Sequence, residues 1–102
     1  MKHLILIIHA DLKQSTADLL HGLEEVDGFT FTNAEGHGSQ SNNDLNLSDT
    51  DKVVGYVPRL RVDILLDDLK VEAVLRVFRQ NNKSPQKLNF YWVTDVIDLG
   101  RF

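Results

Sequence analysis

The chain has 102 residues, with 11 Lys and Arg against 15 Asp and Glu, a formal net charge of −4. That length is one domain, residues 1–102, and the acidic balance argues against a module that lives on phosphate backbones, which carries a basic stripe. With no cysteine in the sequence, disulfides, zinc–thiolate sites, iron–sulfur clusters and cysteine nucleophiles are excluded.

Lys2–His9 (KHLILIIH) is dense in Leu and Ile and too short for a typical helix. It reads as a strand buried on both faces, hence central in a sheet. Its apolar run Leu4–Ile8 is far short of a membrane span or the core of a secretion signal, so the expected compartment is the cytoplasm. A helix follows. Asp11 with Gln14, or Ser15 with Asp18, offers a capping box, and Leu19, Leu20, Leu23 and Val26 form one helical stripe that Gly28 stops. Phe29–Ala34 (FTFTNA) alternates as a strand does.

Residues 36–52 (GHGSQSNNDLNLSDTDK) are rich in Gly, Ser, Asn and Asp. A loop of this length inside a small domain is uncommon and is usually functional or disordered. Val53–Leu66 resumes strand character, with Pro58 as a break near its start. Leu60, Val62, Ile64 and Leu66 take one side, and Arg59, Arg61, Asp63 and Leu65 the other. Asp67 and Asp68 read as helix N-caps. Val71, Val74, Leu75 and Phe78 give the clearest helical period in the chain, ended by Asn81, Asn82 and Pro85. Leu88–Ile97 (LNFYWVTDVI) is a last, aromatic strand.

The order βαββαβ predicts an α+β, ferredoxin-like fold. Right-handed crossovers place both helices on one face of a four-stranded antiparallel sheet, with the first and third strands central and the long loop between strands 2 and 3. The helices then cover one face only. Ile5, Ile7, Leu65, Tyr91 and Val93 are expected on the other, beside Arg59, Arg61 and Asp63. Contiguous apolar area of that kind marks an association surface, and it predicts a symmetric oligomer closed sheet against sheet.

The segment Glu35-Gly36-His37-Gly38-Ser39-Gln40 ends a strand and opens the long loop. Its glycines allow backbone N–H groups to approach an anion, yet no Gly-Lys-Ser/Thr follows, so it is not a Walker sequence. The paired acids Asp67 and Asp68, or Glu24 and Glu25, read as a helix cap and a solvated helix end. Neither a HExxH sequence nor a Ser-His-Asp set in recognisable context is present, and the expectation is a protein that is not an enzyme. RNA recognition on this topology needs exposed aromatics with basic neighbours on the central strands. The aromatics Tyr91 and Trp92 lie on the last strand instead. His3 and His9 share a strand face but lie about 20 Å apart, too far to hold one ion within a subunit, and His21 falls on the solvent side of the first helix.

Four stretches, in this order and spacing, resemble the PII-like signalling proteins, the superfamily of trimeric nitrogen-regulatory proteins. They are Gly36-His37-Gly38-Ser39-Gln40, the run Val53–Val62 (VVGYVPRLRV), Asp67-Asp68 before the second helix, and Phe90-Tyr91-Trp92-Val93 running on to Val96-Ile97. The resemblance covers essentially the whole chain. It implies a ferredoxin-like homotrimer whose long loop, the family's T-loop, here about residues 37–53, reaches a partner protein such as a membrane transporter. It implies effectors in clefts between subunits, adenine nucleotides and 2-oxoglutarate in the nitrogen-regulatory branch. Gly36, Gly38 and Gln40 match the loop-base glycines and the glutamine that helps hold effector and metal. Arg59 replaces an effector-binding lysine, and Lys87 matches a phosphate-contacting one.

The sequence also departs from that family. Asn81-Asn82-Lys83-Ser84-Pro85-Gln86 has no glycine where the nucleotide binders carry a glycine-rich phosphate loop, and the phosphate-pairing arginines fall at Asp98 and Gly100. Asp98 beside a triphosphate repels it. Lys52 stands where some relatives carry a uridylylated tyrosine. These departures argue for a divergent branch with a ligand other than ATP. Two alternatives stand beside it. One is a metal-tolerance trimer resembling the CutA type, with His37 joined by Asp44, Asp49 or Asp51 around a divalent or copper ion. The other is an assembly module with no ligand.

Overall fold

A computed structural model of the chain describes residues 1–38, 55–82 and 89–102. β1 (Lys2–His9) leads through a 3-10 turn (Ala10–Leu12) into α1 (Lys13–His21). β2 (Phe29–Gly36) and β3 (Val57–Leu66) follow, a second 3-10 turn (Asp68–Lys70) opens α2 (Val71–Asn81), and β4 (Phe90–Asp95) completes the sheet. The strand order is β2-β3-β1-β4, with every neighbouring pair antiparallel. This is the expected ferredoxin-like α+β arrangement, and the two most apolar strands are the central ones.

One face carries the core. Leu4 opposes Ile64, Leu6 opposes Val62 and Ile8 opposes Leu60, so their side chains emerge on the same side. Leu66 joins them, and Leu20 of α1 with Val71, Val74 and Leu75 of α2 packs down on that layer. Val62, Ile64 and Val74 are fully buried, each worth about 1.5–3 kcal/mol of transfer free energy. Both helices therefore sit on one face of the sheet. Among the described residues no helix is long and apolar enough to cross a membrane.

Four local expectations are corrected. The stripe Leu19–Val26 is not one helix: α1 ends at His21 with Gly22 as its C-cap. Leu23 and Val26 reach the core instead from successive turns, their N–H groups donating to the carbonyls of Leu20 and Leu23. Neither capping box forms. His9 supplies the cap, its Nδ1 accepting from the Asp11 N–H at 3.1 Å, while the Ser15 hydroxyl donates to the Leu12 carbonyl. Asp67 and Asp68 do not cap α2 with their side chains either. Asp67 accepts the Lys70 N–H through its main-chain carbonyl, and the Asp68 carboxylate lies 2.7 Å from the N-terminal ammonium.

The fourth concerns β4. Tyr91 opposes Leu6 and Val93 opposes Leu4, so both lie on the helix side of the sheet and not on the open side. Phe90, opposite Ile7, and Trp92, opposite Ile5, take the open face in their place. One register step moves every side chain of a strand to the other face. Four consecutive apolar residues, Phe90–Val93, offer no polar alternation by which the sequence could fix that step.

Candidate functional site

The base of the long loop is built where three strands end together. β2 and β3 run out to Gly36 opposite Val57, and β1 ends with His9 opposite Arg59. Ala34 opposes Arg59 on the other side, so Ala34, Arg59 and His9 form a row on the open face. Arg59 and His9 are nevertheless nine-tenths buried or more, at 9% and 7% exposure. Arg59 lies across Gly36: a Cβ added there would stand 2.8 Å from Arg59 Cγ, 3.0 Å from its Nε and 3.2 Å from the Val57 carbonyl oxygen. The missing side chain at Gly36 is thus what gives the guanidinium stem its path.

Two residues clasp the loop's arms. His37 follows β2 and Tyr56 precedes β3, and their rings meet with centroids 5.8 Å apart. Gly55 takes φ +78°, a left-handed conformation that side-chain-bearing residues adopt at a cost, and so turns the returning arm. His37 Nε2 also lies 3.1 Å from Glu35 Oε1. A buried guanidinium beside a bare glycine backbone is a setting in which an anion gains charge-assisted hydrogen bonds away from bulk water.

Of the residues singled out in sequence, Gly36 and Arg59 come into direct apposition, and Gly38 lies just past the end of β2. Gln40, Lys87, Asp44, Asp49 and Asp51 lie outside the described residues. Among the described residues no three His, Asp or Glu side chains gather as ligands for a metal ion. His9 and Tyr56 were not singled out as site residues. The pairing register would have found His9, because it sets that residue directly opposite Arg59. For Tyr56 the sequence signal is its place one residue after Gly55, inside the run Val53–Val62 that carries the family resemblance.

The open face next to this base is apolar with a polar seam. Ile5 is almost wholly buried even within the single chain, while Leu65, Phe90 and Trp92 are exposed at 42%, 54% and 39%. Across the middle, Asp63 takes hydrogen bonds from Arg61 Nε and Nη2 at 3.0–3.2 Å. His3 Nε2 lies 2.7 Å from Asp63 Oδ1, and the Arg61 guanidinium stands 5.9 Å over the Trp92 ring. Burial pushes the Asp63 carboxyl upward, but the hydrogen bonds and charges of Arg61 and His3 together outweigh it, so its pKa lies below the usual value. A carboxylate whose folded pKa is depressed stabilises the fold above its unfolded pKa of about 4, and this contribution is lost as pH falls through the folded pKa. Asp63→Asn is therefore expected to cost about 1 kcal/mol at neutral pH, read by urea unfolding. The gap from the unsubstituted protein should close in strong acid. A gap of unchanged size at acid pH would show that the ion pair contributes nothing.

The sequence matches the family of proteins of unknown function DUF3240 over residues 1–102. The chain belongs to this family. Among solved structures, a DUF3240 protein from Shewanella baltica OS155 superimposes with a TM-score of 0.73 at 21% identity, over 99% of this chain and 94% of that one. CPII, a nitrogen regulatory PII-like protein from Thiomonas intermedia K12 bound to ADP, AMP and bicarbonate, superimposes with a TM-score of 0.69, also at 21% identity, over 98% and 92%. No curated protein matches the sequence. At these identities the two structures establish the fold. This DUF3240 chain thus shares its architecture with the PII-like CPII, the fold that its loop-base and strand motifs imply.

Proposed function

We propose that this DUF3240 protein is a non-enzymatic PII-like regulator of the cytoplasm, a homotrimer that binds a small anionic ligand in the cleft between subunits. Its segment 37–53 then selects a partner protein, a membrane transporter being the kind that fits. The observation that carries this reading is Arg59, a buried cation laid across Gly36 where the long loop leaves the sheet. Gly38, Gln40 and Lys87 complete the proposed ligand set, and the open face of Ile5, Ile7, Leu65, Phe90 and Trp92 is the proposed subunit contact. A ligand that binds one state of the loop more tightly than another shifts the population the partner meets.

CPII, the PII-like neighbour, holds ADP, AMP and bicarbonate, and these are the first ligands to try here. Lacking the glycine-rich phosphate loop, this chain is expected to favour the small anion or the shorter nucleotides over ATP. Calorimetric titration of the assembled protein with bicarbonate, AMP, ADP and ATP tests this. Arg59→Gln should weaken the binding at least tenfold, the size of one lost charge-assisted contact in a buried site. If copper or zinc binds instead, and His37→Ala abolishes it, the metal-tolerance alternative takes its place. If none binds the assembled protein, the sensor reading is lost.

A further inference from the structure

The helix side of the sheet holds a second site, separate from the loop base. Among the described residues the core is not closed between α1, α2 and the start of β4: a cavity of about 710 Å³ opens there, within the range of small-molecule pockets of about 300–1,000 Å³. Its apolar lining is made by Leu6 and Ile8 of β1, Leu12 and Leu19 on the α1 side, and Leu75 and Phe78 of α2, with the uncharged polar side chains of Ser15, Thr16, Asn81, Asn82 and Asn89 completing it. The nine-residue α1 buries only Thr16 and Leu20, and the small Thr16 is one of the side chains that line the gap.

The rim is polar and unequal. On one side stands Arg79, whose Nη2 donates to the Tyr91 hydroxyl at 3.2 Å with its guanidinium 6.0 Å over the Tyr91 ring. Its Nη1 meets Glu72 at 2.7 Å, which holds the cation at the mouth. The Tyr91 hydroxyl, accepting from Arg79, has a proton of its own to give. On the other side Asp18 accepts from Gln14. An apolar trough ending at a cation and a phenol suits an amphiphile with an aliphatic body and an anionic head: the body displaces water from the Leu and Phe walls, and the head takes charge-assisted bonds from Arg79 and Tyr91.

We infer that this cavity is a binding site for a medium-chain aliphatic carboxylate. Its head-binding pair, Arg79 and Tyr91, lies outside the proposed ligand set at the loop base, so it is tested separately from that reading. The probe is decanoate added to the full chain, with decylammonium as the charge-reversed arm, followed by backbone amide NMR. The expected result is saturable shifts in α1 and α2 with decanoate and at least tenfold weaker binding of decylammonium. Arg79→Gln should weaken decanoate about tenfold, and Leu75→Phe, which fills the trough, should remove binding while the sheet amides keep their positions. Equal affinity for the two amphiphiles, no response to Arg79→Gln, or shifts confined to the open face would each overturn the assignment.

Discussion

Gly36→Ala is expected to reduce ligand affinity at the loop base at least tenfold and to lower the melting temperature by about 5 °C or more. The added Cβ would fall 2.8 Å from Arg59 Cγ and 3.2 Å from a backbone oxygen, that of Val57. The side chain can swing away, but the main-chain oxygen can retreat only by shifting the strand pair, an overpacking of the kind that costs about 1–3 kcal/mol. In a domain of this size each kcal/mol moves the midpoint by roughly 4–8 °C. The displaced guanidinium would no longer stand at the base of the loop, which is why binding suffers beyond the loss of stability. Gly28→Ala is the control, since a Cβ there meets nothing within 4 Å. It should change stability by no more than about 0.5 kcal/mol. Should both substitutions behave alike, Gly36 is only a flexible joint and Arg59 has no fixed seat.

The parts of this fold that the sequence made readable are those with strong alternation or strong period. Leu4, Leu6 and Ile8 against Leu60, Val62 and Ile64 form the core face in the structure as in the pattern, because polar residues alternate with apolar ones along β3. Val71, Val74 and Leu75 of α2 are likewise the buried ones. Legibility ended where neighbouring positions were equally apolar or where a tertiary contact replaced a local one. Phe90–Val93 could face either way until pairing with β1 fixed the step. The N-cap of the first helical turn came from His9, outside any capping box, because its ring reaches the Asp11 N–H from the last residue of β1. At the candidate site, Gly36 and Arg59 were each visible as residue types in a family-like pattern. Their mutual packing was not, since it depends on β2 and β3 ending in register. The clasp of His37 on Tyr56 joins residues on either side of the long loop, and nothing local announces it.

Trp92→Asp and Val93→Asp, neighbours in sequence, are expected to fail in opposite ways. Trp92 lies on the open face opposite Ile5, beneath Arg61, and adds nothing to the core under the helices. If identical copies seal that face, a carboxylate there loses a large aromatic contact and buries a charge beside apolar surface, about 2–4 kcal/mol at a well-packed interface position. In a closed three-subunit ring every contact loses this at once, so the assembly should fall to monomers at micromolar concentration. Far-ultraviolet circular dichroism should still show the folded sheet and helices. Val93 opposes the fully buried Leu4 on the helix side and is itself 37% exposed, at the margin of the core. An Asp there is expected to lower thermal stability by a few degrees while whatever still folds sediments at the size of the unsubstituted protein. Sedimentation velocity and thermal melts on the pair decide both the register of β4 and the role of the open face. A wild-type protein that already sediments as a monomer, or a Trp92→Asp variant that keeps its assembly, would remove the shared cleft on which the regulatory reading depends.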